Sequence, residues 1–245
     1  MEERRSMWHF VTRVAAIAAL YAAATIAWSL MGGSLSWGPI QLRLSEALCM
    51  LAIFTIDAVP GLAIGCAIAN IINTGIAGLG TFSAFDYVYC TMVIVLSLLF
   101  TWKMRQRPAL CALAPLAANV AMAFVIKANF GTASVFDVVF GSLATAVGAR
   151  FTWKFRDRPV VAAAGPVISN ALIISAYLPL MPQSADFYVI PFMHISPVGS
   201  YALMFLFGVV SIGLGEAIVM YALGLPLAHA LRRTRLVRFL TQPHD

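Results

Sequence analysis

The stretch VAAIAALYAAATIAWSL, from Val14 to Leu30, decides what kind of protein this is. It holds no charged side chain, and as an α-helix it covers most of the roughly 30 Å of hydrocarbon in a bilayer. Arg4, Arg5 and Arg13 precede it, and further apolar blocks of about 18 to 22 residues follow it along the chain. A basic start before an apolar run also describes a secretory leader; the length of this run and the later spans favour an uncleaved first helix. Within it Ala15, Ala19 and Ala23 recur at i, i+4 and i+8, a small-residue face against which another backbone can pack closely. Spacing alone leaves open whether that partner is a helix of this chain or another protein.

Of the 245 residues, 61% are apolar and 11% are charged, too few to give a soluble fold its surface. The formal charge of +6 does not point to nucleic acid, because the cations are gathered at the ends of apolar blocks. Besides the first group there are Lys103, Arg105 and Arg107; then Arg150, Lys154, Arg156 and Arg158; then Arg232, Arg233, Arg235 and Arg238. Cys49, Cys66, Cys90 and Cys111 lie singly inside apolar segments and read as small hydrophobic residues. His9, His194, His229 and His244 sit at span ends or in loops and suggest no metal site. The chain carries no Walker-A, H-E-x-x-H or G-x-S-x-G sequence, so neither ATP hydrolysis by this chain alone nor membrane hydrolysis is indicated, and no cofactor is implied.

The apolar pattern predicts an all-α integral membrane protein in one domain, with helices at about 9–31, 44–57, 59–77, 83–103, 108–127, 134–154, 159–179 and 201–224. Cytoplasmic termini put every basic cluster on the cytoplasmic side, with Arg43 the exception in an outward loop. The block after Glu46 is short, about 18 Å of helix, and Asp57-Ala58-Val59-Pro60-Gly61 reads as a turn. Residues 44–77 therefore either cross twice or form a re-entrant hairpin. The Gly-, Ser- and Trp-rich loop 32–43 is a candidate lid over an outward-facing cavity.

Residues 80–124 and 131–175 align without a gap, with about 16 of 45 positions identical. Asp86 matches Asp137, the phrase from Phe100 to Lys103 matches Phe151 to Lys154, and Asn119 matches Asn170. Such self-similarity marks a repeated unit, here a helical hairpin in parallel repeat.

Ionisable groups within apolar blocks cost about 2.5–3.5 kcal/mol each on insertion scales, so each needs a reason. Glu46 opens the second helix with Arg43 three residues earlier, near enough to pair. Asp86 and Asp137 open their helices, a placement the helix dipole alone would explain. Asn70, Asn119 and Asn170 lie within spans, as interhelical glue or as contacts to a polar solute. Glu216 lies deep in the last helix beside Gly213 and Gly215.

Several ordered phrases resemble the QueT-type queuosine-precursor transporters, substrate-binding S components of energy-coupling factor (ECF) importers. They are QLRLSEAL (Gln41–Leu48), VPGLAIGCAIAN (Val59–Asn70), FDVVFGSLAT (Phe136–Thr145), PVISNALI (Pro166–Ile173), and Leu214-Gly215-Glu216 followed by LGLPL (Leu223–Leu227). The resemblance implies a six-helix core that binds a 7-deazaguanine from outside and couples to a transmembrane protein and two ATPases, with Ala15, Ala19 and Ala23 facing that partner. The chain departs from the family in carrying an extra hairpin, for about eight helices in all. The second repeat copy keeps the family-like Gly141, Ser142, Ala144 and Thr145, so the ligand role goes to Asp137 and Asn170 and not to Asp86 and Asn119.

A deazaguanine has paired donors on one edge, which a carboxylate accepts in bidentate fashion, and a carbonyl for an Arg or amide. Arg43, Glu46, Asn70, Asp137 and Asn170 supply such groups, Trp37 or Phe140 could stack on the ring, and Glu216 is a further candidate. The rival readings are a stand-alone carrier or channel for a small polar solute, a membrane enzyme, and a scaffold that binds no solute.

Overall fold

The computed structural model describes residues 2–32, 42–76, 132–180 and 200–234, with the single positions 100, 103, 117, 120, 121 and 237. Most of the candidate lid, with Trp37, nearly all of the first repeat copy, with Asp86 and Asn119, and residues 181–199 of the 180–200 loop lie outside the described residues. The expected total of about eight spans therefore is not counted here. Every described element is helical.

The elements are α1 (Glu2–Gly32), a 3₁₀ helix (Leu44–Ile53), α2 (Ala58–Ile76), α3 (Thr132–Lys154), α4 (Pro159–Tyr177) and α5 (Tyr201–Ile218). A π-helical turn (Val219–Gly224) joins α5 to α6 (Leu225–Leu231), so the last helix runs on past its expected end at 224. Among the described residues three helices, Met7–Met31, Pro159–Leu180 and Tyr201–Leu231, are long and apolar enough to cross a membrane, and Leu44–Ile53 and Ala58–Asn73 are shorter apolar ones. Leu203, Leu206, Val210, Leu214 and Ile218 project, exposed, from one face of α5 with no described helix over them. Such a face belongs in hydrocarbon, not water. The chain is a multi-pass membrane protein.

The long helices pack in sequence order, α1 on α2, α2 on α3, α3 on α4 and α4 on α5, as an arc around the 3₁₀ helix. That central helix buries Ser45, Glu46, Ala47, Cys49, Met50, Leu51, Ala52 and Ile53, most of its length. Small residues allow this closeness. A methyl group at Gly65 of α2 would stand 2.7 Å from the Ala18 carbonyl oxygen of α1, and one at Gly165 of α4 would stand 2.7 Å from the Gly148 carbonyl oxygen of α3.

Side-chain contacts fix the register. Ser45 meets Thr25 and Glu46 meets Tyr21, while Asp57 meets Arg13, so the 3₁₀ segment runs antiparallel to α1. From there α2 returns alongside α1, with Gly61 at Val14, Gly65 at Ala18 and Asn73 at Ser29. Residues 44–76 thus retrace α1 from Thr25 to Arg13 and back to Ser29.

Arg13 was grouped by sequence with the surface cations, and the structure corrects that. Its Nε lies 3.1 Å from Asp57 Oδ2, with side chains 3% and 1% exposed. The surface cations at this end of the bundle are Lys154, Arg156 and Arg158 after α3, and Arg232 and Arg233 after α6. A second buried repair lies nearby. Pro166 has no N–H for the Ala162 carbonyl one turn back, and the Thr152 hydroxyl of α3 sits 2.9 Å from that carbonyl instead. The π turn before Pro226 serves a similar need: the Leu225 N–H reaches back to the Met220 carbonyl in the wider spacing.

Candidate substrate-binding site

The registers bring one polar side chain from each of six segments to a single level of the bundle. Tyr21 of α1 donates its hydroxyl to Glu46 Oε1 of the 3₁₀ helix, and the Cys49 thiol approaches Glu46 Oε2 at 3.2 Å. Cys66 of α2 lies beside Tyr21 and Thr145 of α3. On the far side Asn170 of α4 donates through Nδ2 to Glu216 Oε1 of α5 at 2.9 Å. Glu46, Asn170 and Glu216 are all buried, at 0%, 1% and 3% exposure. Tyr21 lies eight residues from both Arg13 and Ser29, about 12 Å along α1 in either direction, so this tier is near mid-depth.

Above it, toward the Ser29 end, a small recess is lined by Thr25, Trp28, Ser29, Arg43, Ser45, Asn70 and Asn73. Arg43 links the two levels: it lines the recess, and its charge acts on Tyr21, Glu46 and Tyr177 and on Glu216. An aromatic ladder stands next to it. The Phe140 ring stacks on Tyr177 at 5.3 Å between centroids and on Phe136 at 5.7 Å. A guanidinium, two carboxylates, two amides and flat aromatic faces around one buried centre form a donor and acceptor set suited to a polar, planar solute.

The model of the QueT transporter family matches residues 11–129 and matches again over residues 125–233. This chain belongs to the QueT transporter family. The first match contains the first copy of the internal repeat and the second match contains the second copy. No curated protein and no solved structure matches the chain. As a QueT transporter it is a transport protein, the substrate-binding component of a transporter.

Of the residues singled out by sequence, the QueT fold brings Arg43, Glu46, Asn170 and Glu216 together, with Asn70 on the wall of the recess above them. Asn70 Nδ2 lies 3.7 Å from Cys66 Sγ and 3.0 Å from where a Cβ on Gly141 would stand, so Gly141 leaves room for the amide. Arg43 and Glu46 form no direct ion pair; the Glu46 N–H instead donates to the Arg43 carbonyl at 2.9 Å, and the carboxylate is held by Tyr21 and Cys49. Asp137 belongs to α3, but its side chain, like Trp37, lies outside the described residues. Ala15, Ala19 and Ala23 are exposed on α1, away from the site.

Sequence reasoning missed Tyr21, Cys49, Tyr177 and the recess lining Thr25, Ser45 and Asn73. A tyrosine or cysteine among apolar residues carries no local signal of its own. The clue available was the burial requirement of Glu46, which obliges some neighbouring helix to supply a hydroxyl or thiol donor.

Proposed function

We propose that this chain is the substrate-capturing subunit of an ECF-type importer and takes up a queuosine precursor, a 7-deazaguanine derivative, or a similar purine-like micronutrient. One observation carries the reading: Arg43 and Glu46 from the 3₁₀ segment, Asn170 from α4 and Glu216 from α5 come together at one buried centre below a recess. Isolated polar groups serving only as glue would be distributed among separate helix contacts. Here they share a centre.

In this reading Glu46 accepts the paired donors of the base edge, and Arg43 or Asn70 donates to the ring carbonyl. Tyr21 and Cys49 hold the Glu46 carboxylate in place beforehand. Phe140 stacks on the ring, Asn170 and Glu216 meet the substituent side, and Asp137 and Trp37 complete the site. Solute enters from the recess end. The basic end faces the cytoplasm of the cell membrane, with both termini there, as its exposed Lys154, Arg156, Arg158, Arg232 and Arg233 favour. The exposed Ala15, Ala19 and Ala23 of α1 dock the transmembrane coupling protein, which is driven by two ATPase subunits.

Titration of purified protein with a panel of purines and deazapurines tests this reading. Deazaguanines bind and adenine does not, and Glu46→Ala removes the binding. Equal deazaguanine affinity in wild type and Glu46→Ala overturns the site. Uptake that persists in cells lacking every coupling ATPase favours a stand-alone carrier.

A further inference from the structure

Glu46 and Glu216 look alike in sequence, as carboxylates buried in apolar helices, but their surroundings differ. Glu46 is satisfied at both oxygens, by the Tyr21 hydroxyl and the Cys49 thiol. Glu216 is satisfied at one. Asn170 supplies Oε1, and Oε2 is buried without a hydrogen-bond donor among the described residues. Among the described residues their mutual repulsion is set against the charge of Arg43, since Arg13 is committed to Asp57 at the basic end. Among the described residues, two carboxylates face one guanidinium, which leaves this part of the centre one positive charge short. Leaving a buried carboxylate uncompensated costs several kcal/mol, so the centre calls for a cation or a proton.

We propose that Glu216 is the specificity-determining residue of the site and that its free oxygen takes a protonated amine on the solute. An ammonium group fits what is missing: it has three donors and no acceptor, and it brings one positive charge. Asn170 fixes the carboxylate through the first oxygen and so turns the second to the incoming amine. The site thereby selects the amine-bearing member of a set of otherwise identical rings. This inference rests on the deazaguanine reading above.

Two probes that share a ring separate the questions: 7-aminomethyl-7-deazaguanine, a cation, and 7-cyano-7-deazaguanine, which is neutral. Isothermal titration of the purified full chain is expected to favour the amine by about tenfold or more, as a hydrogen bond between charged groups gives. Glu216→Gln keeps the shape and an acceptor for Asn170 but removes the charge, and it collapses that preference. Equal affinities in wild type, or a Glu216→Gln loss that falls equally on both probes, overturn the amine subsite and leave the deazaguanine reading standing. A preference for the nitrile shows Glu216 to be a neutral donor, which also overturns it. If neither probe binds, the deazaguanine reading falls and the subsite with it. Should Glu216→Gln not elute as a monodisperse species, the wild-type ratio decides alone.

Discussion

At Arg13 a buried guanidinium faces the carboxylate of Asp57, while two turns further along α1 Tyr21 offers a neutral hydroxyl to Glu46, in a tier whose other carboxylate keeps a bare oxygen. Both centres are closed off from solvent, and both tie α1 to the segment from Ser45 to Asp57. The first is balanced in charge and joins the start of α1 to the turn before α2, so it acts as a clasp. The second is unbalanced and draws on every helix of the arc. Burial alone therefore does not tell the two centres apart. Charge balance does.

The comparison breaks most readily at the clasp. Removing one partner of a buried ion pair costs about 3–5 kcal/mol, because the other charge is left in a medium that cannot solvate it. Arg13→Ala or Asp57→Ala should lower the thermal midpoint in detergent sharply, whether or not solute is present. Replacing both with apolar residues, as in Arg13→Met with Asp57→Leu, should recover most of the loss, since a well-packed apolar pair is often as stable as the ion pair it replaces. Single variants as stable as wild type would mean that the clasp holds nothing.

Tyr21→Phe probes the mid-depth tier with a smaller change. It deletes one hydroxyl and keeps the ring, and hydrogen bonds to charged groups contribute about 1.5–3 kcal/mol. If Tyr21 serves to hold Glu46 for a solute, the loss appears mainly as weaker binding, about tenfold or more by that range. The thermal midpoint without solute should fall less than for Arg13→Ala. The opposite pattern, an intact affinity with a large drop in stability, would make the tier a second clasp and erase the distinction between them.

Much of this architecture was legible beforehand, and the reasons are physical. Apolar blocks report helices because lipid leaves the backbone no other partner. Glu46, Asn170 and Glu216 stood out because an ionisable or amide group in such a block is costly. Ala15, Ala19 and Ala23 were readable as one face, and that face is exposed. What lay out of reach depended on contacts distant in sequence. Arg13 beside Arg4 and Arg5 reads as an interfacial cation until Asp57 is placed against it. The same holds for Tyr21, whose partner lies 25 residues away. The 3₁₀ form of Leu44–Ile53 goes with its place among the surrounding helices, which composition does not record.

The smallest effect should come from the rim of the recess, where Thr25 and Ser45 face each other. The Thr25 hydroxyl lies 2.7 Å from that of Ser45 and 2.9 Å from the Tyr21 carbonyl one turn back in its own helix. Thr25→Val keeps the branched shape and removes only the hydroxyl. A neutral hydrogen bond contributes about 0.5–1.5 kcal/mol, and the Arg43-lined recess beside Ser45 offers a replacement partner that a dry interior would not. Thermal stability should therefore fall by no more than about 1 kcal/mol. Solute affinity should change less than in Tyr21→Phe, because no carboxylate loses a donor. Should Thr25→Val instead weaken binding as much as Tyr21→Phe does, the solute rests at the level of the recess, with Arg43 and Asn70 as its main contacts. Recognition would then lie one tier higher than Glu46 and Glu216 place it.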